Sequence, residues 1–281
     1  MVDDDLRPRE VAGELPSLPP TPGEGRPAAR LVLVSVTEGA FAIARDDLAR
    51  YATKRRAAPG RLGRWLLRGF LALLLLPVPL ILLYRFVPPP VTPLMLIRAA
   101  EGEPIHRDWV PYARIAPALP RAVIASEDER FCWHHGFDWV EIDKAYDAWR
   151  AGDRLRGAST ISQQLARNLF LWPGGGYPRK AAEAYVTLLL EALLSKQRIL
   201  ELYLNVVEWG DGVYGAEAAA RAHFGRSALL LSERQAALLA AVLPAPRDWR
   251  PERPTRFLDE RADTILARMP EVAVPGRVGC R

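Results

Sequence analysis

A chain of 281 residues with 49% hydrophobic content has material for one domain or two small ones, with or without a membrane span, and composition does not choose between them. Its net charge of +5 suits an anionic partner such as lipid head groups, pyrophosphate or nucleic acid, and suits equally well a basic flank beside a membrane. The two cysteines, Cys132 and Cys280, show neither zinc nor redox spacing; a disulfide between them is the minor reading, and Cys132 reads rather as a small buried apolar residue.

Residues 1 to about 30 are rich in Pro, Gly and charge without periodic apolar residues, which predicts disorder. Leu31 to Val36 then reads as a short strand and Asp46 to Arg55 as a helix. From Gly69 to Tyr84 the chain carries no charge, and Trp65, Leu66 and Leu67 extend the run if Arg68 snorkels. That is roughly twenty residues, enough to cross a bilayer core, with Pro77 and Pro79 predicting a kink. Lys54, Arg55, Arg56, Arg61, Arg64 and Arg68 precede the run and only Arg85 follows it closely. The positive-inside rule therefore puts the N-terminus in the cytoplasm and everything after about residue 88 outside. Pro88, Pro89, Pro90 and Pro93 predict a stiff exit. From about residue 95 the chain reads as one largely helical unit with no sustained strand alternation. Within it, Ser232-Glu233-Arg234-Gln235 is a capping box opening an Ala/Leu helix that Pro244 stops, and Thr255 to Met269 reads as a last amphipathic helix.

Four polar islands interrupt the apolar sequence between Ala125 and Leu204. The first is Ser126-Glu127-Asp128-Glu129-Arg130-Phe131 with His134, His135 and Gly136 behind it. A carboxylate at the end of a buried helix is a candidate general base. The rival reading is a metal site from Glu127, Asp128, His134 and His135, and the histidines also read as structural around the Gly136 turn. In the second island, Gly157 to Phe170, a helical projection puts Ile161, Leu165 and Leu169 on one stripe. Ser159, Gln163 and Arg167 fall opposite, with Thr160, Gln164 and Asn168 beside them. Ser159 and Thr160 serve equally as caps, but a row continuing through Gln163, Gln164 and Arg167 suits phosphate and sugar oxygens. The third island, Arg179-Lys180-x-x-Glu183, reads either as an ordinary surface ion pair or as a pyrophosphate clamp next to a carboxylate. The fourth is Lys196 to Asn205. Phe170 to Tyr177 is either a membrane-dipping loop or a plain surface loop.

In this order and spacing the islands resemble the peptidoglycan glycosyltransferases, glycosyltransferase family 51, and within it the monofunctional biosynthetic transglycosylases. Five motifs carry the resemblance: Glu127-Asp128-x-x-Phe131-x-x-His134-x-Gly136; Gly157-x-Ser159-Thr160-x-x-Gln163-Gln164-Leu165; Arg179-Lys180-x-x-Glu183; Lys196-x-x-Ile199-Leu200-Glu201-x-Tyr203-Leu204-Asn205; and Gly212-x-x-Gly215 with Ala218, Ala219 and Phe224. It implies an all-α, lysozyme-like glycosyltransferase domain over residues 95–270 behind a single transmembrane helix at 65–87, with residues 1–60 a cytoplasmic extension.

The implied reaction polymerises lipid II into glycan strands in the inner membrane, with the catalytic domain periplasmic. Inversion at the anomeric carbon releases undecaprenyl pyrophosphate. Glu127 matches the general base and Glu183 the second catalytic carboxylate. Ser159, Thr160, Gln163, Gln164, Arg167, Arg179 and Lys180 match substrate-binding positions, and Asp128 is a candidate metal ligand. The resemblance admits a divalent cation, magnesium or manganese, and no organic cofactor. It implies lipid II, the growing lipid-linked glycan, the membrane and cell-wall synthesis or division proteins as partners, and no nucleic acid. Arg167 stands where the family has Lys, a planar fork in place of a point charge. Absence of a Ser-x-x-Lys motif argues against a transpeptidase in this chain. A polymer-cutting hydrolase of similar fold would need no pyrophosphate clamp or anchor, and a purely structural helical scaffold would leave Glu127 and Glu183 scattered. The reading requires them to face one another across a groove lined by Ser159, Gln163, Gln164 and Arg167.

Overall fold

A computed structural model of the chain describes residues 60–153, 157–276 and 280. The readings at residues 1–59, including the strand at Leu31 to Val36, the helix at Asp46 to Arg55 and the cations Lys54, Arg55 and Arg56, lie outside the described residues. Two compact units divide at Trp65/Leu66, and of the first only residues 60–65, which open the first helix, are described.

Helix α1 (Arg61–Leu75) and helix α2 (Pro77–Tyr84) together form the apolar run, with a turn residue, Leu76, between them. Pro77 and Pro79 have no N–H to continue the ladder, which is the physical cause of the break. By length and composition Arg61–Tyr84, 24 residues, is able to cross a membrane. Leu66, Leu67, Phe70, Leu73, Leu75, Leu82 and Leu83 are exposed along it. Its last turns are different. Ile81 is buried in the main core, Tyr84 packs its ring 6.3 Å from Phe170, and Arg198 Nε donates to Tyr84 O at 2.8 Å. Tyr185 Oη donates to Leu74 O at 2.7 Å.

The helical unit continues with α3 (Pro93–Ala100), α4 (Ala118–Glu127), α5 (Trp139–Arg150), α6 (Ile161–Phe170), α7 (Gly176–Leu193), α8 (Lys196–Val206), α9 (Ala216–Phe224), α10 (Glu233–Val242) and α11 (Arg256–Arg268). Helix α4 packs along α10 and α10 along α11, while α6 lies against both α7 and α8. Leu119, Ala122, Val123, Ile124 and Ala125 of α4 are buried in the main core. Side-chain caps set most starts: Thr92, Asp138, Thr160, Ser195, Ser232 and Thr255 each accept a backbone N–H in the first turn of the helix they precede. Ser232 and Gln235 form the expected capping box, and Thr255 and Met269 bracket α11.

The fold adds a three-stranded sheet to the helices. Strand β1 (His106–Arg107) runs parallel to β3 (Val213–Tyr214), which pairs antiparallel with β2 (Glu208–Gly210). Strands of two or three residues are too short to show alternation. Gly212 in the β2–β3 turn has φ +66°, and a Cβ there would lie 2.2 Å from Pro104 O. Gly212→Ala is expected to cost about 3 kcal/mol through positive φ and backbone overlap, read as a lowered urea midpoint.

Cys132 and Cys280 form a disulfide. This corrects the reading of Cys132 as a small buried apolar residue. The tail beyond α11 returns to the loop after α4, a closure between residues 148 apart that no local spacing announces. Cys280→Ser, or reductant added to the wild type, is expected to lower stability by about 3 kcal/mol, seen as matching shifts in thermal unfolding.

Candidate active site

Glu127 is the last residue of α4 and Asp128 its C-cap. The Glu127 carboxylate is held at both oxygens. Ser126 Oγ lies 3.1 Å from Oε1, and Gln164 Nε2 donates to Oε2 at 2.9 Å. Gln164 is oriented in turn by Tyr203, whose Oη donates to Gln164 Oε1 at 2.9 Å. Burial first, and then the negative charge of Glu127, push the Tyr203 phenol well above its ordinary range. Tyr203 therefore stays protonated, a donor throughout the neutral range.

Asp128 works beside this carboxylate as a joint. Its Oδ2 accepts Ile161 N at 2.9 Å, tying the first island to the start of α6, and its Oδ1 lies 2.8 Å from His134 Nε2. His134 Nδ1 accepts Gly136 N–H at 3.1 Å, which leaves Nε2 as the protonated nitrogen that donates to Asp128. Thr160 Oγ1 donates to Gly136 O at 2.7 Å, a second tie between the islands. Asp128, His134 and Asp138 bring ligand-type atoms within 4.8 Å of one another. Those atoms already serve the fold: Asp138 Oδ1 caps α5 through Val140 N and Glu141 N, and its Oδ2 is 3.2 Å from Arg130 Nε. This donor set does not fit a resident cation, since binding one would break the Asp128–His134 bond and set it against the Arg130 guanidinium already beside Asp138.

The second island sits differently from its helical projection. Helix α6 begins at Ile161, so Ser159 and Thr160 precede it, and Thr160 is the N-cap. Gln163 is only 5% exposed, and its Oε1 accepts Thr160 N at 3.0 Å to complete a capping box. Asn168 is also buried, which leaves Gln164 and Arg167 as the partly open polar positions of the helix. Arg167 makes no ion pair with a described residue, and its charge acts on the Tyr203 phenol.

Glu183, in α7, is 1% exposed, far from the surface ion pair its spacing allowed. Arg179 Nη1 donates to Oε2 at 2.6 Å and Lys180 Nζ meets Oε1. Lys180 Nζ is also 3.4 Å from Ser159 Oγ. The entry to α6 thus touches both carboxylate systems, Glu127 through Gln164 and Glu183 through Ser159 and Lys180.

Three groups had no role in the sequence reading. Lys196 is buried with Nζ 2.7 Å from Glu191 Oε1 and 4.4 Å from the centre of the Phe131 ring, and Ser162 Oγ donates to the same Glu191 oxygen at 2.5 Å. Tyr203 stood in a motif without a role. Arg261, on α11, reaches Ser126 and Glu127, and no pattern in the sequence marks it.

The family model for Transglycosylase matches residues 95–270. The chain belongs to the transglycosylase family. Its similarity to individual members is high. It is 58% identical to a biosynthetic peptidoglycan transglycosylase of Rhodospirillum centenum, over 75% of this chain and 90% of that protein. It is 48% identical to one of Caulobacter vibrioides, over 79% and 99%, and 52% identical to one of Stutzerimonas stutzeri, over 70% and 84%. For a transglycosylase the arrangement makes chemical sense. A carboxylate with its oxygens pinned is suited to receive a proton, and a pair of cations backed by a buried carboxylate is suited to an anionic leaving group.

Proposed function

We propose that this transglycosylase polymerises lipid II, transferring the growing glycan from undecaprenyl pyrophosphate to the incoming acceptor. The observation that carries the reading is the Glu183 cluster: a fully buried carboxylate gripping Arg179 and Lys180, with Lys180 in turn on Ser159 at the entry of the helix whose Gln164 holds Glu127. Glu127 takes the proton of the acceptor's 4-hydroxyl as that oxygen forms its bond to the donor's C1. The bond from C1 to the pyrophosphate oxygen breaks with inversion, and the electron pair leaves on the pyrophosphate beside Arg179 and Lys180. Ser159, Gln164 and Arg167 meet sugar and phosphate oxygens, while Thr160 and Gln163 shape the helix entry that presents them. Glu127 and Glu183 lie on opposite sides of the reacting centre. A magnesium or manganese ion enters this reading as a counter-ion brought with the pyrophosphate, not as a resident of the Asp128 cluster.

The same reading places the enzyme in the inner membrane as a single-pass protein with its catalytic unit in the periplasm. The apolar Arg61–Tyr84 run supports the anchor, and the Cys132–Cys280 disulfide supports an oxidising compartment. Trp172 follows Phe170, whose ring lies 6.3 Å from that of Tyr84 at the end of that run, and Tyr177, 94% exposed, stands in the first turn of α7; both are suited to dip into the interface. Purified protein given labelled lipid II should lengthen glycan and release undecaprenyl pyrophosphate. Cleavage of preformed strands with no polymer growth would instead make it a hydrolase.

A further inference from the structure

The Glu127 carboxylate has a cationic neighbour from the far end of the chain. Arg261 Nη2 lies 3.2 Å from Ser126 Oγ and 3.9 Å from Glu127 Oε1, while its Nε donates to Ala241 O at 3.2 Å. Arg261 reaches across the C-terminal end of α10, where Ala240 O is 3.3 Å from Ser126 Oγ. The Ser126 hydroxyl has one proton and two acceptors within reach, Ala240 O and Glu127 Oε1. By donating to Ser126 Oγ, Arg261 occupies one of its lone pairs and fixes the rotor, so the hydroxyl proton is available to Glu127.

Arg261 is not needed to dock its own helix. Leu258, Ala262 and Ile265 form the buried face of α11, and Arg234 of α10 binds Asp259 and Asp263 along the seam. Its side chain is 31% exposed, spent on one carbonyl, one hydroxyl and one carboxylate at the head of the first island. The same C-terminal segment touches that island again further on. Arg268 Nε is 3.5 Å from Glu129 Oε1, Ala273 O rests 3.3 Å from Cys132 Sγ, and Cys280 is bonded to Cys132.

From these contacts we infer that residues 256–276 form a strap over the first polar island, with Arg261 the positioning residue that fixes the Glu127 carboxylate and the Cys132–Cys280 disulfide the staple that holds the strap there. This rests on Glu127 being the base. The strap acts on the orientation of a proton acceptor and not on the lipid or sugar sites, so its loss lowers turnover and leaves substrate affinity alone.

The test uses the full chain in detergent with labelled lipid II. Arg261→Gln should lower kcat about tenfold, the scale of a slightly misplaced base, with KM within about twofold of wild type. Arg261→Lys should recover most of the loss, and Cys280→Ser should show a smaller fall in kcat that reductant reproduces in the wild type. Should Arg261→Gln fail to fold, Arg261→Lys and Cys280→Ser carry the test, and wild-type kcat in Cys280→Ser overturns the strap. Wild-type kcat in a folded Arg261→Gln, or a rise in KM alone, overturns the inference while polymerisation by the wild type stands. A wild type that makes no polymer removes the reading and this inference together.

Discussion

Glu127→Gln is expected to lower the kcat of glycan polymerisation by about three orders of magnitude, the scale of a lost general base, while the protein should fold and melt as the wild type does. The fold should tolerate the change because the hydrogen-bond network around the side chain is reversible. In the wild type, Tyr203 donates to Gln164 Oε1 and Gln164 Nε2 donates to Glu127 Oε2. With an amide at 127 whose oxygen takes the Oε2 position, Gln164 still donates to it and keeps its bond from Tyr203, while the new NH2 donates to Ser126 Oγ and the Ser126 proton turns to Ala240 O, 3.3 Å away. These hydrogen bonds are kept, and what is lost is the charge beside Arg261 and the capacity to accept a proton from the acceptor's hydroxyl. Single-turnover assays with labelled lipid II separate this step from binding. Polymer formed at the wild-type rate would refute Glu127 as the base.

Glu183→Gln is expected to lower the rate by a hundredfold or more, and its signature should differ from the first. Glu183 is the buried member of its cluster, whereas Arg179 and Lys180 are 15% and 45% exposed at their side chains. Removing its charge leaves the two cations near water, so stability falls modestly, by about 1 kcal/mol, well short of the cost of stranding a buried charge. The larger consequence is positional. With no anion between them the cations repel each other, and Lys180 loses the contact that sets it beside Ser159. Chemistry and pyrophosphate affinity should therefore fall together, with KM rising alongside the loss in kcat, unlike the clean kcat effect at Glu127. Near-normal turnover would return Glu183 to a structural ion pair.

What the sequence made legible follows from range. Caps and stops are decided within four residues, so Ser232 with Gln235 and Thr255 were readable as helix starts. The apolar run and its break were readable because composition and proline act locally. The second island was legible in kind and not in role: Thr160 caps the helix instead of continuing it and Gln163 turns back to complete the box, which leaves Gln164 and Arg167 partly open. A projection treats every polar position alike and has no means of seeing that. The disulfide and Arg261 escaped for the opposite reason. Each joins the first island to a segment well over a hundred residues later, and such contacts are made by helix packing, which leaves no periodic trace between the partners.

The burial of Ile81 and the bonds from Tyr185 to Leu74 and from Arg198 to Tyr84 move the working boundary of the catalytic body upstream of where composition draws it. Pro88 to Pro90 look like the place to cut a soluble enzyme free. A protein shortened there would lose a plug from its core, about 2 kcal/mol for the Ile81 side chain alone, and would leave the Arg198 guanidinium without its carbonyl. The last turns of the apolar run behave as a socket fitting rather than a leash. The distance between the reacting groups and the end of the apolar run is then set by packing, so a lengthened linker inserted before Ile81 should slow the enzyme less than one inserted just after Tyr84.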